Sequence, residues 1–464
     1  MSSNTSATDC KVCARRRIRC DRTRPSCLKC TKRNIECPGY GRNIRWANAV
    51  AVRGRFKGMQ YPKEQSQNDG SDKWTKSAAT IAKLVAGAPN TGEIERLVSY
   101  YSKEIAGNMI WVDSPSNPYR RLVVSKAQSS PVILLAIIAV SAEHRGVGSL
   151  EPSLLAFAPR ACDIVVSKLT QELSKITDRS ESLQPRDILD LETVEWVLAS
   201  MLILSNYECI GDTSTAWCSH RLGARLLVNA FSDSSAESSE LFRFLRAQFG
   251  IHDVLASTTT CLYLGTDGVV LPKQGDPEAL LAEYMRLIHR LTVLVTNKTT
   301  QDIPPPAVLR IEFENTRGLT LMNAASSAAL AGESARVSFI QLVDVHHLAA
   351  LLYAYRCIYD FTSQDVEVTL IMQQLFEKLQ HCASNDALIQ HLTWPVFVAG
   401  TECYDYDEKQ DLVLKWYGEI ISKTGFKNYE VVVSFLRQLW EEKPESWLEM
   451  AKTWERDGKP LLAV

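Results

Sequence analysis

Six cysteines near the N-terminus constrain this chain more than any other feature. Thiolates at Cys-x2-Cys spacing suit tetrahedral zinc. Two tetrahedral zinc ions need eight bonds, which six thiolates supply if one thiolate from each half bridges both metals. The spacing therefore predicts a small module organised by two zinc ions. Its second half repeats the pattern of its first: Cys10-x2-Cys13-x6-Cys20-x6-Cys27-x2-Cys30-x6-Cys37.

The same cysteines offer a second interpretation, three disulfide bonds. The segment 1–9 is polar and lacks the apolar stretch of a secretory signal, so we expect an intracellular protein. Disulfides are rare in reducing compartments, which favours zinc. We expect the seven remaining cysteines to be small buried hydrophobic side chains: Cys162, Cys209, Cys218, Cys261, Cys357, Cys382 and Cys403.

Charge is distributed very unevenly along the chain. Residues 1–58 contain 15 Lys or Arg and 3 Asp or Glu, whereas the remainder contains 37 basic and 50 acidic residues. The formal net charge of −1 hides this asymmetry. A basic end on an acidic body predicts a polyanionic partner for the basic end.

Arginines occupy most positions between the second and third cysteine of the cluster. On a short metal-held helix they cannot be core, and a guanidinium matches guanine O6 and N7 in the major groove. The other basic residues of the cluster are expected to contact mainly phosphates. The candidate DNA-binding residues are Arg15, Arg16, Arg17, Arg19, Arg22, Arg24, Lys29, Lys32 and Arg33.

The stretch CKVCARRRIRCDRTRPSCLKCTKRNIECPGYG resembles the fungal Zn2Cys6 binuclear-cluster DNA-binding domain. The match includes the six cysteines, the basic run, Asp21 and Pro25. The resemblance implies that Cys10 and Cys27 bridge the two zinc ions. It also implies that Cys13 and Cys20 complete one site, whereas Cys30 and Cys37 complete the other.

The resemblance aligns Arg17 with the family's principal base-contacting position, with Arg16 beside it, and implies a CGG-type triplet as target. Ala14 departs from the family, which commonly has a basic residue directly after its second cysteine. This departure implies one phosphate contact fewer. A zinc module that binds protein instead of DNA is the alternative that the sequence leaves open.

Residues 93–445 have the apolar periodicity of helices in series, which predicts an all-α domain. A helix over 93–105 places Ile94, Leu97, Val98 and Tyr101 on one face, and Pro131 opens a very apolar helix. Further helical runs are expected over 153–176, 186–209, 215–231, 239–257, 277–296, 340–361, 366–381, 408–422 and 429–442.

Four segments of this region resemble blocks of the fungal-specific transcription factor domain of the second, shorter type. They are NPYRRLVVSKAQSSPVILLAIIAVSAEH, AWCSHRLGARLLV, LTWPVFVAGTE and TGFKNYEVVVSFLRQLWEEK. The resemblance implies a regulatory domain that binds partners and, in some members, senses a small ligand. Gly-x-Ser-x-Gly, phosphate-binding glycine and His-Glu-x-x-His motifs are absent from the sequence, so we expect no enzyme activity.

Three histidines of this region suggest metal ligands at first sight. His346 and His347 are adjacent, so on a helix they diverge by about 100° and cannot chelate together. His220 near Cys218 is more simply a core residue. Trp394-Pro395 is expected to mark a helix start, where proline is tolerated in the first turn.

The predicted fold is a small metal-stabilised Zn2Cys6 module plus a large all-α regulatory domain. We expect a disordered tail over 1–9, the zinc module over 10–40, a linker over 41–92, the helical domain over 93–445 and a C-terminal tail over 446–464. The predicted function is that of a nuclear regulator of transcription that binds double-stranded DNA. The expected partners are co-regulators or transcription machinery, a small-molecule effector and a second copy of the chain, but no membrane.

Overall fold

The computed structural model divides the chain into two compact units, Met1–Asn68 and Asp69–Val464. Within helices, the side chains of 70–73, 176–177, 216–219, 235 and 297 are not described. The predicted tail up to residue 8 and the stretch 41–69 of the predicted linker lie outside the described residues. Those described are 9–10, 12–13, 16–23, 26–33, 35, 37, 70–149, 151–177, 189–211, 216–231, 235–260, 262, 265–274, 279–297, 303–359, 361–362 and 365–463.

Helices build the second unit, and its described residues include no strand. In the first unit, one short helix, α1, covers Leu28–Thr31. The helices of the second unit are α2 Gly70–Leu84, α3 Thr91–Tyr100, α4 Val124–Ala127, α5 Pro131–Ser149, α6 Pro152–Thr177, α7 Leu191–Ile210, α8 Ala216–Phe231, α9 Glu240–Ser257, α10 Ala282–Asn297, α11 Pro306–Ala324, α12 Glu333–Cys357, α13 Val366–Ala383, α14 Thr393–Gly400, α15 Asp407–Thr424, α16 Tyr429–Glu442 and α17 Trp447–Arg456. Shorter helical turns cover Tyr101–Ile105, Tyr119–Val123, Ser235–Ser238, Ala328–Leu330 and Ile389–His391.

Local sequence sets several helix ends. The side chains of Asn90, Asp190 and Ser239 each accept a hydrogen bond from the backbone N–H three residues on, at the starts of α3, α7 and α9. Such caps satisfy donors that the first turn leaves without partners. Gly425 ends α15 with a φ of 69°, a left-handed conformation that costs glycine little.

Two apolar helices form the centre of the core. In α5 the residues from Ile133 to Val140 are all buried, because the helix is covered by α3, α6 and α7. The long helix α12 packs against α10, α11, α13 and α14. This arrangement confirms the predicted all-α architecture.

Both central helices are long and apolar enough to cross a membrane by length and composition alone. In their most apolar windows, however, 61% of the residues of α5 and 67% of those of α12 are buried inside the protein. Burial against neighbouring helices accounts for this apolar composition, as in other buried core helices.

Within the predicted linker over 41–92, the structure corrects the described part, residues 70–92. Helix α2 lies within it, and Trp74, Ala78 and Ile81 are buried in the same core as the rest of the unit. The Ser77 hydroxyl donates to the carbonyl oxygen of Gln128 at 3.0 Å. Polar residues dominate this part of the sequence by number, but the few apolar residues fall on one helix face, and that face decides the structure.

The prediction of a C-terminal tail over 446–464 is wrong. Helix α17 buries Trp447, and Leu461 beyond it is fully buried. Its carbonyl oxygen accepts a hydrogen bond from the Thr259 hydroxyl at 2.6 Å. The charged residues around Pro444 suggest a solvated end, but the apolar side chains that follow them pack into the core.

Helix α11 is not among the predicted runs, and α12 begins earlier than predicted. Two of the inward-facing positions of α11 are threonines, Thr316 and Thr320, whereas Ile311 and Met322 are exposed. This exchange of polar and apolar residues between the two faces obscures the periodicity on which the prediction rests.

Candidate metal centre and nucleic-acid interface

The six predicted cysteine ligands converge in the first unit. Their sulfurs form two groups of four, and within each group all sulfurs lie within 4.8 Å of one another. Cys10 and Cys27 belong to both groups. The first group also contains Cys13 and Cys20, and the second contains Cys30 and Cys37.

The sulfur spacing matches a tetrahedral zinc site. A zinc–sulfur bond of about 2.3 Å places two tetrahedral ligands about 3.8 Å apart. The Sγ atom of Cys10 lies 3.7 Å from the Sγ atoms of both Cys27 and Cys30, and the sulfurs of Cys13 and Cys27 are also 3.7 Å apart. The donor set therefore fits two zinc ions in both ligand type and spacing.

The backbone repeats the duplication seen in the sequence. The Cys13 N–H donates to the Cys10 sulfur at 3.4 Å, and the Cys30 N–H donates to the Cys27 sulfur at 3.3 Å. Five residues after the second cysteine of each pair, the N–H of Ile18 or Ile35 donates back to that cysteine's carbonyl oxygen at 3.1 Å. Each half is therefore one tight helical turn closed on its Cys-x2-Cys pair.

Asp21 joins the two halves. Its carboxylate accepts hydrogen bonds from the backbone N–H groups of Leu28 and Lys29, at 2.9 and 3.1 Å, and from the Thr23 hydroxyl at 2.6 Å. These hydrogen bonds hold its pKa well below its usual range, with the Thr23 hydroxyl contributing most. The carboxylate thus caps the start of α1 and ties it to the loop after Cys20.

Burial disfavours the thiolate form at three of these cysteines. Burial raises the pKa of Cys10 to about 12 and also raises the pKa values of Cys13 and Cys27. At Cys20 burial acts in the same direction, but hydrogen bonds from Cys10, Arg22 and Cys27 outweigh it and lower the pKa to about 7. Zinc binds thiolates, so metal uptake must release protons here.

Basic side chains surround the cluster. Arg15 and Arg24 lie outside the described residues, and Arg22 forms an ion pair with Asp9 at 2.6 Å. The described candidates are all exposed: Arg16, Arg17, Arg19, Arg22, Lys29, Lys32 and Arg33. The first unit therefore presents positive charge around a sulfur core, as an interface with a polyanion requires.

Arg17 occupies an unusual backbone position. Its φ is 55°, in the left-handed region, and the following residue makes the hydrogen bond that closes the first helical turn. Glycine or asparagine is usual at this position because other side chains are strained there. Neither this conformation nor the capping role of Asp21 was predicted. The short spacing between Cys13 and Cys20, which requires a tight chain reversal, is the one sequence signal that points to them.

The three histidines considered as metal ligands from the sequence are buried side chains of the helical unit. His346 donates through Nδ1 to the Leu342 carbonyl oxygen, whereas His347 Nδ1 lies 2.9 Å from the Tyr284 hydroxyl, so the two rings take different partners. His220 is buried, with Nε2 3.0 Å from a Glu208 carboxylate oxygen. Among the described residues, the only groups with metal-ligand spacing are those of the cysteine cluster.

The first unit combines a thiolate centre that fits two metal ions with a basic surface, and the second unit is helical. These features define a class of protein in which a zinc-cluster nucleic-acid-binding module is joined to a regulatory domain. Comparison with family models agrees. Residues 8–47 match the fungal Zn(2)-Cys(6) binuclear cluster domain, and residues 96–457 match the fungal specific transcription factor domain. The chain belongs to this family of zinc-cluster transcription factors, and zinc is its cofactor.

Two curated relatives match short stretches of the chain. The transcriptional regulatory protein moc3 of Schizosaccharomyces pombe is 64% identical over 33 residues, which are 7% of this chain and 6% of that protein. The acriflavine sensitivity control protein acr-2 of Neurospora crassa is 53% identical over 38 residues, 8% of this chain and 6% of that protein. The matches thus span 6% of the length of each relative. No solved structure matches the chain.

Proposed function

We propose that this protein is a nuclear, sequence-specific regulator of transcription whose zinc module binds double-stranded DNA. The observation that carries the proposal is the pair of four-sulfur groups sharing Cys10 and Cys27, surrounded by exposed arginines and lysines. Seven of the ten exposed side chains among the described residues of 9–37 are arginine or lysine. The module therefore has abundant positive charge to offer a nucleic acid.

In this proposal Cys10 and Cys27 each bind both zinc ions. Cys13 and Cys20 complete one tetrahedral site, and Cys30 and Cys37 complete the other. The membership of the two sulfur groups supports the assignment. With four thiolate ligands each, the zinc ions would supply structural stability and would have no open position for chemistry.

Arg17, with Arg16 beside it, is proposed to read guanines of a CGG-type triplet. Supporting this role, Arg17 has an exposed side chain, and its left-handed backbone sets the direction of the Cα–Cβ bond at the end of a helical turn. Bidentate contact to guanine needs such a fixed direction. The other candidates are proposed to hold the module on the DNA backbone through phosphate contacts: Arg15, Arg19, Arg22, Arg24, Lys29, Lys32 and Arg33.

The helical unit is proposed to control this DNA binding and to have no catalytic role. Its inputs are proposed to be co-regulators or transcription machinery, a small-molecule effector, and a second copy of the chain. The continuous core of the unit supports a stable body that can transmit such signals. The basic residues near the cluster support nuclear import, since short Lys- and Arg-rich stretches serve as import signals.

The test is selection of random-sequence duplex DNA by the purified full-length protein, with and without a zinc chelator. We expect enrichment of CGG-containing duplexes that disappears on chelation and weakens steeply with added salt. Sequence-blind binding that is indifferent to the chelator would contradict the proposal. That outcome would favour a zinc-dependent adaptor that contacts other proteins.

A further inference from the structure

The helical unit contains a partly enclosed cavity of about 90 Å³. It lies where α7, α8, α9, α12 and α14 meet, and Leu462 of the C-terminal segment forms part of its wall. Helices from the N-terminal and the C-terminal parts of the helical unit therefore contribute to a single site. Aromatic side chains form much of the wall, including Trp111, Trp394 and Phe249.

His220 and Arg221 line the cavity but interact with other groups of the protein, whereas three further lining side chains carry atoms with no hydrogen-bond partner among the described residues. They are the Nε2 atom of Gln248, the Nε2 atom of His346 and the Oε1 atom of Gln390. Gln248 and His346 are 2% and 0% exposed. Buried polar groups without partners destabilise a fold, and three bordering one cavity point to an occupant that satisfies them.

The hydrogen-bonding character of His346 follows from its other nitrogen. Nδ1 lies 3.0 Å from the Leu342 carbonyl oxygen, so Nδ1 carries the proton. Burial lowers the pKa of His346 to about 4, so the ring is neutral at pH 7 and Nε2 is an acceptor. With the Gln390 oxygen as a second acceptor and the Gln248 amide as a donor, the site offers complementary groups of both kinds.

The cavity provides no unpaired charge. Burial lowers the pKa values of His252 and His391 to about 3, so both are neutral at pH 7. Both rings are partly accessible to solvent, as expected of side chains that border a cavity. Arg221 is the charged side chain among the described lining residues, and it is already engaged within the protein.

Water alone fits this site poorly. A water molecule takes about 30 Å³ in the liquid and needs two to four polar partners. The wall of the cavity is more apolar than polar, so water molecules that fill it would meet few polar partners. A planar ring with hydrogen-bonding atoms at its edge uses the aromatic walls and the polar atoms together. Because a cavity of roughly 150 Å³ admits benzene, the ring must be small.

We propose that this cavity binds a small, uncharged, planar nitrogen heterocycle that accepts a hydrogen bond from Gln248 and donates one to His346 or Gln390. The inference deepens the regulatory role proposed for the helical unit. The interpretation of the cavity as an effector site rests on that proposed role. Binding itself depends only on the cavity. A ligand in this cavity contacts helices from the N-terminal and C-terminal parts of the helical unit and the segment that contains Leu462. Ligand binding can therefore change how these elements pack against one another.

The experiment uses pyrazole, a neutral five-membered ring with adjacent donor and acceptor nitrogens. Saturable binding to the full-length zinc-loaded protein is measured by ligand-observed NMR and by the shift in melting temperature. We expect wild type to bind, and both Gln248→Leu and His346→Phe to bind at least about tenfold more weakly. Gln248→Leu should also raise the melting temperature without ligand, because it removes an unsatisfied buried donor.

The matched control is His347→Phe. This residue is adjacent to His346 and also buried, but it bonds to Tyr284 and does not line the cavity. The control should bind pyrazole like wild type. Absence of saturable binding to wild type, or wild-type affinity in both cavity variants, would overturn the inference. Because DNA is absent from this assay, failure of CGG selection leaves its result unaffected, and the two proposals fail separately.

Discussion

The two units of this protein are organised by different physics. Among the described residues of the zinc module, the buried core consists of five of the six cluster cysteines, with Val12, Ile18 and Cys37 packed partly against them. The helical unit has one continuous apolar core that includes side chains from Trp74 to Ala463. A chain as short as the module cannot bury enough apolar surface to fold alone, whereas the helical unit can.

This difference explains why the two units respond differently to a single substitution. In the module, each cysteine supplies one of the few metal ligands that hold the whole structure together. The sulfurs of Cys10 and Cys27 also accept backbone hydrogen bonds. In the helical unit each side chain is one of many in a packed core. Loss of one contact there is a fraction of the total stability.

The largest expected effect is that of Cys27→Ser. The substitution removes a proposed shared ligand, and metal binding contributes about 10–16 kcal/mol to the folding of structural zinc peptides. We expect the zinc content to fall from two ions to fewer than one per chain and DNA binding to be lost. Cys382→Ser, in the helical core, is the control and should keep both ions. Two bound zinc ions in Cys27→Ser would refute the bridging assignment.

Deletion of 446–464 should destabilise the helical unit without affecting the zinc module. It removes Trp447, Leu448 and Leu461 from the core, which costs roughly 5–10 kcal/mol at the usual value of large buried side chains. The midpoint of denaturant unfolding measures the loss. Glu441→Ala, at an exposed position, should leave that midpoint unchanged. An unchanged midpoint in the deletion variant would mean that this segment contributes nothing to the core.

A smaller effect is expected at Arg17, where backbone strain and DNA contact coincide. Arg17→Ala should cost about 1–3 kcal/mol on the preferred duplex and relax the preference at one guanine. Arg17→Gly should lose the same DNA affinity while relieving the left-handed strain. Competition binding with matched and mutated triplets measures both. Equal losses on all duplexes would instead make Arg17 a phosphate contact, as we expect for Arg33→Ala.

The smallest effect concerns the pH dependence of the helical unit. Burial lowers the pKa of His346 to about 4, whereas the unfolded chain titrates near 6.5. Its stability contribution is therefore complete above pH 6.5 and is lost as the pH falls towards 4, by about 1.4 kcal/mol per unit. His346→Phe should make the decline in melting temperature between pH 6.5 and 5 less steep, by the amount that uptake of about one proton on unfolding accounts for.

Exposed His381→Phe is the control for this series and should leave the slope unchanged. Glu402, whose pKa burial raises to about 7, acts in the opposite direction, since its contribution is lost as the pH rises. It is present in wild type and both variants, so it cancels from the comparison. An identical slope in His346→Phe and wild type would contradict the assigned burial effect.

The same contrast explains what the sequence could predict. Ligand spacing is local, so the six cysteines could be recognised from the chain alone, and the two sulfur groups follow that spacing. Strongly amphipathic helices were also recognised, such as Tyr429–Glu442, whose bounds agree with the prediction. In both cases a short stretch of sequence contains the whole signal.

Features made by distant residues could not be predicted. Leu461 is buried because it packs beside Thr259, a partner far away in the chain. The cavity joins Gln248, His346 and Gln390 from three separate elements, and none of them stands out in the sequence. The left-handed backbone of Arg17 is a local feature, but its side chain type suggests no such conformation.

The most direct test of two independently stabilised units is hydrogen–deuterium exchange of the full-length protein, followed by mass spectrometry with and without a zinc chelator. We expect chelation to remove protection from the peptides covering 9–37 and to leave protection of α5, α12 and α16 unchanged. Loss of protection throughout both units would contradict the account, as would a cysteine segment that stays protected without metal.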